Sequence, residues 1–372
     1  MKKTITAILA LIAAPTIAQI NGDGYYRIQN NSTERYITIT DDIVGGIDMG
    51  TTTVDMTNIT TWRGFDNVKS NPASILYINK VNTKYDLESQ AISVHAITGG
   101  KAYVDLIDCT QGIYIIGATA KGLTKYLYDV TGSKDNSSVA DYGDEENRYW
   151  RIKPLDTTDN YIGFTPTLQT SEGWYGTFYA AFPFKVVSED VHVYVVDGVK
   201  DGKFQMKEIT DEIKPALTPM IIRCSTNDAA SNQIIPVVET TSQPSDNLLK
   251  GTLFCSFNYL HEEYVKFDTN TMRVLGVNNS GELVLTKDNS SLIKKMSKYY
   301  IPANTAYLYV ANGLSGEYKL VSRDEYTGIH SIEATPESAA KGTFTLSGVK
   351  VDDSKKLSPG VYIKDGKKIV LK

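Results

Sequence analysis

Gly24-Tyr25-Tyr26-Arg27-Ile28-Gln29-Asn30, followed after a polar turn by Arg35-Tyr36-Ile37, is the stretch on which the reading of the fold turns. It gives an aromatic–x–Ile strand, a turn, then Tyr with an aliphatic residue close behind. The pattern returns as Tyr77-Ile78 with Tyr85 and Leu87, and as Ile113-Tyr114-Ile115 with Tyr126-Leu127. A fourth copy is Trp150-Arg151-Ile152 with Tyr161-Ile162. Alternation with period two reads as strand, and each copy as a hairpin. One hairpin buries too little apolar surface to stand alone in water. The recurrence therefore predicts that several hairpins close into one barrel.

Beyond this repeat the 372-residue chain still reads as strand almost throughout. Runs rich in Val, Ile, Thr and Tyr lie at Ile75 to Val81, Tyr103 to Ile107, His192 to Val196 and Tyr307 to Val310. Turn signals punctuate them at Asp197-Gly198, Asp201-Gly202, Ser280-Gly281 and Asp365-Gly366. Tyr outnumbers Phe and Trp together, 24 against 10 and 3, which suits half-buried sheet faces. Only Ser290 to Lys298 and Glu333 to Ala340 read as helix, and both are short.

A second internal repeat starts near residue 197. Asp197-Gly198-Val199 to Phe204, then Pro215-Ala216-Leu217-Thr218 and Met220-Ile221, parallels Leu275-Gly276-Val277 to Leu283, then Pro302-Ala303-Asn304-Thr305 and Tyr307-Leu308. Each copy reads strand, Gly turn, strand, Pro-Ala-x-Thr turn, strand. The extra residues of the second copy fall on Asp288 to Lys298, the expected helix. Such a duplication most simply gives two sheets packed as a sandwich. The chain then passes through an Ala-rich polar linker, residues 327–341, to three short runs with Gly turns in residues 342–372.

These segments carry three resemblances. Asp23 to Asn30 with Arg35-Tyr36-Ile37 resembles the opening repeat of ricin B-type β-trefoil modules, "G-x-Y-x-I-x-N" and then a "K/R-Y/C-L" strand. That resemblance covers about residues 22–166 and implies a trefoil barrel and a carbohydrate ligand. It departs from the family at the closing Gln-x-Trp, where Tyr77 and Trp150 stand instead. The Pro-Ala-Asn-Thr unit resembles tandem β modules of secreted surface proteins in gut-type anaerobes. Leu346, Gly348, Val351, Leu357, Gly360 and Tyr362 are similar to the C-terminal sorting domains of type IX secretion cargo.

Residues 1–18 read as a secretory signal peptide. Lys2 and Lys3 precede an apolar run from Ile5 to Ala14, and Thr16-Ile17-Ala18 ends in small residues. The run is shorter than the roughly 20 residues a membrane span needs. An exported chain with a sorting tail is expected at the outer surface or outside the cell, with the periplasm as the alternative. The formal net charge of −5, without basic blocks, argues against nucleic acid as partner. Export permits disulfides. Cys224 and Cys255 both sit in apolar strands, so they either pair across neighbouring strands or are small buried hydrophobes like Cys109.

Catalytic motifs are missing from the sequence. His261-Glu262-Glu263-Tyr264-Val265 starts like a zinc-protease helix, but Val265 stands where His is required. The four histidines are scattered, and no cofactor fingerprint occurs. Adjacent acids such as Asp41-Asp42 and Glu262-Glu263 point to opposite sides of a strand, whereas a glycosidase needs two carboxylates about 5–9.5 Å apart. The candidate ligand-binding residues are Trp62, Trp174, Tyr175, Asp41 and Asp42. Trp174-Tyr175, flanked by glycines, either present flat rings to a sugar or plug a junction between modules, and Trp62 carries the same ambiguity. The trefoil resemblance places Asp41 and Asp42 where its lectins hold an acid for sugar hydroxyls; a plain polar turn is the other reading.

The expectation is thus an all-β chain. A trefoil-like barrel spans 22–168, a duplicated β-sandwich region spans 172–326, and a small β module closes the chain. Its expected function is non-catalytic carbohydrate binding. The alternatives are a structural or adhesion component binding protein partners and, third, a glycan-active hydrolase.

Overall fold

The computed structural model describes residues 20, 23–39, 59–94, 103–120, 122–130, 136–255, 264–295, 297–310, 316–327, 343–345, 350–351, 360–364 and 367–371. The expected signal peptide, Asp41, Asp42 and the Glu333 to Ala340 helix lie outside them. Among the described residues no helix reaches seven residues, so the chain is all-β.

The N-terminal sheet is built from β1 (Gly24–Asn30), β2 (Arg35–Ile39), β3 (Ile59–Arg63), β4 (Leu76–Val81), β5 (Lys84–Ser89) and β6 (Ile92–Ser93). It continues with β7 (Asp105–Thr110), β8 (Ile113–Ala120), β9 (Leu123–Tyr126), β10 (Tyr128–Asp129), β11 (Asn136–Ala140) and β12 (Tyr149–Pro154). β1 pairs with β12 on one side and β4 on the other, β4 with β5, β12 with β8, and β8 with β7. Tyr85 of β5 and Val104, just before β7, exchange two 2.9 Å backbone bonds, so the curled ladder returns on itself. Inward-facing Ile28, Ile37, Leu76, Ile78, Ile116, Trp150 and Ile152 fill it. Trp150 is fully buried and donates its indole N–H to the Leu127 carbonyl at 3.0 Å.

Three of the four expected hairpins form, as β1–β2, β4–β5 and β8–β9. The fourth does not. Asp156 accepts the backbone N–H groups of Thr158, Asp159 and Asn160, turning the chain away after β12. Ile162 then pairs with Ile234 and enters a different core. The N-terminal ladder therefore ends at Pro154, not near residue 168.

The next region contains β13 (Ile162–Gly163), β14 (Leu168–Thr170), β15 (Gly173–Phe178), β16 (Phe184–Val186), β17 (His192–Lys200), β18 (Lys203–Glu208), β19 (Ile213–Lys214) and β20 (Met220–Cys224). β21 (Gln233–Pro236), β22 (Leu249–Thr252), β23 (Met272–Val277), β24 (Leu283–Thr286), β25 (Ile293–Lys295), β26 (Lys298–Tyr300), β27 (Thr305–Tyr309) and β28 (Tyr318–Val321) follow. The duplication read in the sequence is visible in the pairing. β17 lies between β18 and β20, as β23 lies between β24 and β27. Both halves belong to one ten-stranded sheet, joined through β28, which is parallel to β18 and antiparallel to β24.

The two halves share a core of Tyr175, Val196, Phe204 and Ile221 from one and Leu275, Leu285 and Leu308 from the other. The other face of the first half packs with the sheet β13-β21-β16-β19 through Phe164, Phe178, Phe184, Met220 and Ile222. The second half buries Met272, Val274 and Tyr307 with Leu292 and Ile301, which flank β25 and β26. The Pro-Ala-x-Thr turns match in backbone as well: Leu217 and Asn304 both take positive φ, 51° and 57°.

Two local expectations are corrected. Ser290 to Lys298 is not a helix; β25 and β26 form a hairpin there, because Leu292 and Ile301 on either side must both reach one core. Asp197-Gly198 is not a turn but a bulge inside β17, and the hairpin turns at Asp201-Gly202, where φ is 51° and 74°. Positive φ at both central residues is the I′ geometry that matches strand twist.

One buried amide pair ties the two regions together. Gln90 donates to Asn304 Oδ1 at 2.8 Å and accepts from Asn304 Nδ2 at 2.9 Å. Gln90 also donates to the Leu253 carbonyl, and Leu253 and Phe254 join the N-terminal core. Gly251 is required nearby, since a Cβ there would sit 2.3 Å from the Tyr179 ring.

The chain forms two compact units, Met1–Arg323 and Asp324–Lys372. In the second, β29 (Thr343–Thr345), β30 (Lys350–Val351), β31 (Gly360–Lys364) and β32 (Lys367–Leu371) form an antiparallel sheet in the order β30-β29-β31-β32. The first of the three expected runs is thus divided between β29 and β30.

Candidate functional site

Cross-strand register assembles the candidate site. Arg151 lies opposite Gln29, Gln29 opposite Tyr36, and Tyr36 opposite Trp62. Directly opposed residues share a face of the sheet, with Cβ atoms about 4.5–5.5 Å apart. Their neighbours Trp150, Ile28 and Ile37 fill the core, so this row is turned away from it. Two loops extend the row. The Phe65 ring lies 6.2 Å from Tyr36, and Tyr161 meets Phe65 edge-on at 5.0 Å. Trp62, Tyr36, Phe65 and Tyr161 are all half-buried.

Beneath this strip Arg27 is 1% exposed and holds both loops. Its guanidinium donates to Ser74 Oγ (3.2 Å), Asn160 Oδ1 (2.9 Å), the Tyr161 carbonyl (3.0 Å) and the Val68 carbonyl (3.2 Å). It also sits 5.2 Å from the Phe65 ring centre, in cation–π range. None of these partners is a carboxylate, and burial lowers the Arg27 pKa to about 10. Burial also raises the Tyr36 pKa, with Arg27 opposing and Asp159 and Glu34 adding to the rise. Gln29 donates to the Glu34 carbonyl at 3.1 Å, and Arg151 to Asn31 Oδ1 at 2.7 Å. The result is a row of flat rings bordered by amide and guanidinium groups.

The structure distributes the other predicted residues differently. Trp174 is half-exposed on β15, opposite Gln169 and Cys224, on a sheet that does not include Trp62. Gly173 before it has φ 137°, and a Cβ there would come 2.7 Å from the Cys224 carbonyl oxygen. Tyr175 points to the opposite face and is 2% exposed. Its hydroxyl donates to Glu172 at 3.2 Å, and burial, with Glu172 adding, pushes its pKa up to about 12. Tyr175 thus offers no ring to a ligand and cannot form one platform with Trp174. Asp41 and Asp42 lie outside the described residues.

No disulfide joins Cys224 to Cys255. Cys224 packs in the core between the first half and the β13-β21-β16-β19 sheet, whereas Phe254, next to Cys255, enters the N-terminal core. Cys109, expected to be buried, is half-exposed at a register shift in β7. Sequence reasoning reached Trp62 but missed Tyr36, Phe65 and Tyr161 as its neighbours. Tyr36 and Tyr161 were read as repeat positions, and only the strand register and the Arg27 clamp bring the rings together.

Among the described residues no group of three His, Cys, Asp or Glu side chains could hold a metal ion, and no helix is long and apolar enough to cross a membrane. No model of a known protein family matches this chain, and no curated protein is significantly similar to it.

Proposed function

We propose that this chain is an exported, non-catalytic binding protein for carbohydrate, and that its glycan lies along the strip formed by Trp62, Tyr36, Phe65 and Tyr161. One observation carries the reading: four adjoining rings stay only half-buried while a buried guanidinium fixes the loops that bear two of them. Contiguous exposed apolar surface marks interaction sites. A flat ring with polar groups at its edge suits the apolar face and equatorial hydroxyls of a pyranose. The leader-like residues 1–18 and the sorting-like residues 342–372 support export to the outer surface.

A glycan array on the chain beginning at Gln19 tests the proposal. Binding to at least one glycan class is expected, weakened about tenfold, near 1.4 kcal/mol, by Trp62→Ala or Tyr161→Ala without unfolding. Unchanged retention in both variants would remove the strip as the site. An array with no hit would refute carbohydrate and favour the adhesion reading.

A further inference from the structure

The ten-stranded sheet rolls until β14 and β15 lie against β23 and β27, yet no backbone ladder joins these strands. The seam holds a cavity of about 410 Å³. It adjoins a second of about 450 Å³, and both are lined by Leu168, Leu275 and Ser291. Each volume falls in the size range of small-molecule sites.

The lining specifies a ligand chemistry. Among the described residues the inner cavity has no Asp, Glu, Lys, Arg or His in its wall. The outer cavity adds Asp288 and Glu317, and no cation. An anion entering the seam would lose hydration and find no counter-charge. Several wall groups are already engaged: Ser70 with Thr165 at 2.6 Å, Thr305 on the Pro302 carbonyl at 2.6 Å, and Asn304 with Gln90. The hydroxyls of Thr167, Thr177 and Ser291 have no side-chain partner among the described residues, which leaves three donor–acceptor groups around an apolar floor that includes Pro166 and Val274.

We infer that the seam between β14–β15 and the second repeat binds an uncharged, polyhydroxylated small molecule of about disaccharide size. The site is separate from the Trp62 strip, so each can stand without the other.

Titration calorimetry on the chain beginning at Gln19 and carrying Trp62→Ala weakens the strip about tenfold in the measurement. The probes are maltose, cellobiose, lactose and xylobiose, with digalacturonate as the anionic comparison. At least one neutral disaccharide should bind with one-to-one stoichiometry while digalacturonate does not. Adding Ser291→Trp or, separately, Thr167→Trp should weaken that binding about tenfold with the thermal midpoint kept. The inference is overturned if no neutral disaccharide binds, if digalacturonate binds as well, or if binding is unchanged in whichever variant keeps its midpoint. Binding by the otherwise unaltered chain that vanishes with Trp62→Ala alone and survives Ser291→Trp alone would assign the sugar to the strip and equally overturn it.

Discussion

Replacing Arg27 by Met asks whether a buried guanidinium without a carboxylate partner stabilises the protein or only positions the strip. Met leaves two buried acceptors without their donor, Asn160 Oδ1 and the Tyr161 carbonyl. The other two contacts are cushioned, because Val68 still accepts from Asn71 N–H and Ser74 still donates to Asn71. Two orphaned acceptors cost about 2–6 kcal/mol. Against this, Arg27 titrates near 10 rather than 12.5 because of burial. That difference corresponds to about 3 kcal/mol of strain in the charged form, which Met relieves. The net effect of Arg27→Met should therefore lie between about 1 kcal/mol of stabilisation and about 3 kcal/mol of destabilisation. Arg27→Lys keeps the buried charge and loses the fork that serves both loops at once, so it should cost more than Met. Urea unfolding monitored by circular dichroism measures both, and glycan retention should fall in both as Phe65 and Tyr161 lose their clamp. A Met variant destabilised beyond about 5 kcal/mol, or a Lys variant close to wild type, would refute the reasoning.

Three further outcomes are expected. Trp150→Ala should cost about 3–5 kcal/mol, whereas Trp62→Ala should cost about 1 kcal/mol or less and act on binding instead; chemical denaturation separates them. Burial pushes the Cys224 thiol from 9.0 up to about 12, and Tyr175 also rises to about 12. Both groups are acids with a raised folded-state pKa, so their stability contribution is complete below the unfolded value and is lost as pH climbs through the folded one. Stability should fall between pH 9 and 12, and Cys224→Ala should flatten the first part of that fall in pH-dependent unfolding. Truncation after Thr335 removes only part of the second unit, Asp324–Lys372, so the thermal midpoint should not change, yet the chain should accumulate in the periplasm. Arrival of the truncated chain in the medium would reject the sorting role.

Strand identity was legible because alternation is local: Tyr26, Ile28, Ile37 and Ile78 point inward as their period requires. The duplication was legible because the Pro-Ala-x-Thr turns demand the same backbone twice, down to positive φ at Leu217 and Asn304. What failed was anything set by distant partners. Ile162 carries the same local signal as Ile37, but it pairs with Ile234, far along the chain, and so leaves the N-terminal sheet. Ile293 to Tyr300 has too few residues for periodicity to separate helix from hairpin, and burial of Leu292 and Ile301 decides it. The aromatic strip was invisible because Tyr36 and Trp62 are neighbours only in register, and Phe65 and Tyr161 only through Arg27.

The β28 junction sets the order of events during synthesis. β17 and β18 form a local hairpin, as do β23 and β24, and each can appear soon after its residues leave the ribosome. β18 then waits with one bare edge until Val321 has been made, because its second neighbour is β28. A bare edge invites pairing with another chain for as long as it persists. Lys203 and Lys207 on β18 place charge along that edge throughout the wait. Nascent chains stalled between the two repeats should therefore be the ones that need a holding chaperone, while chains released past β28 should not.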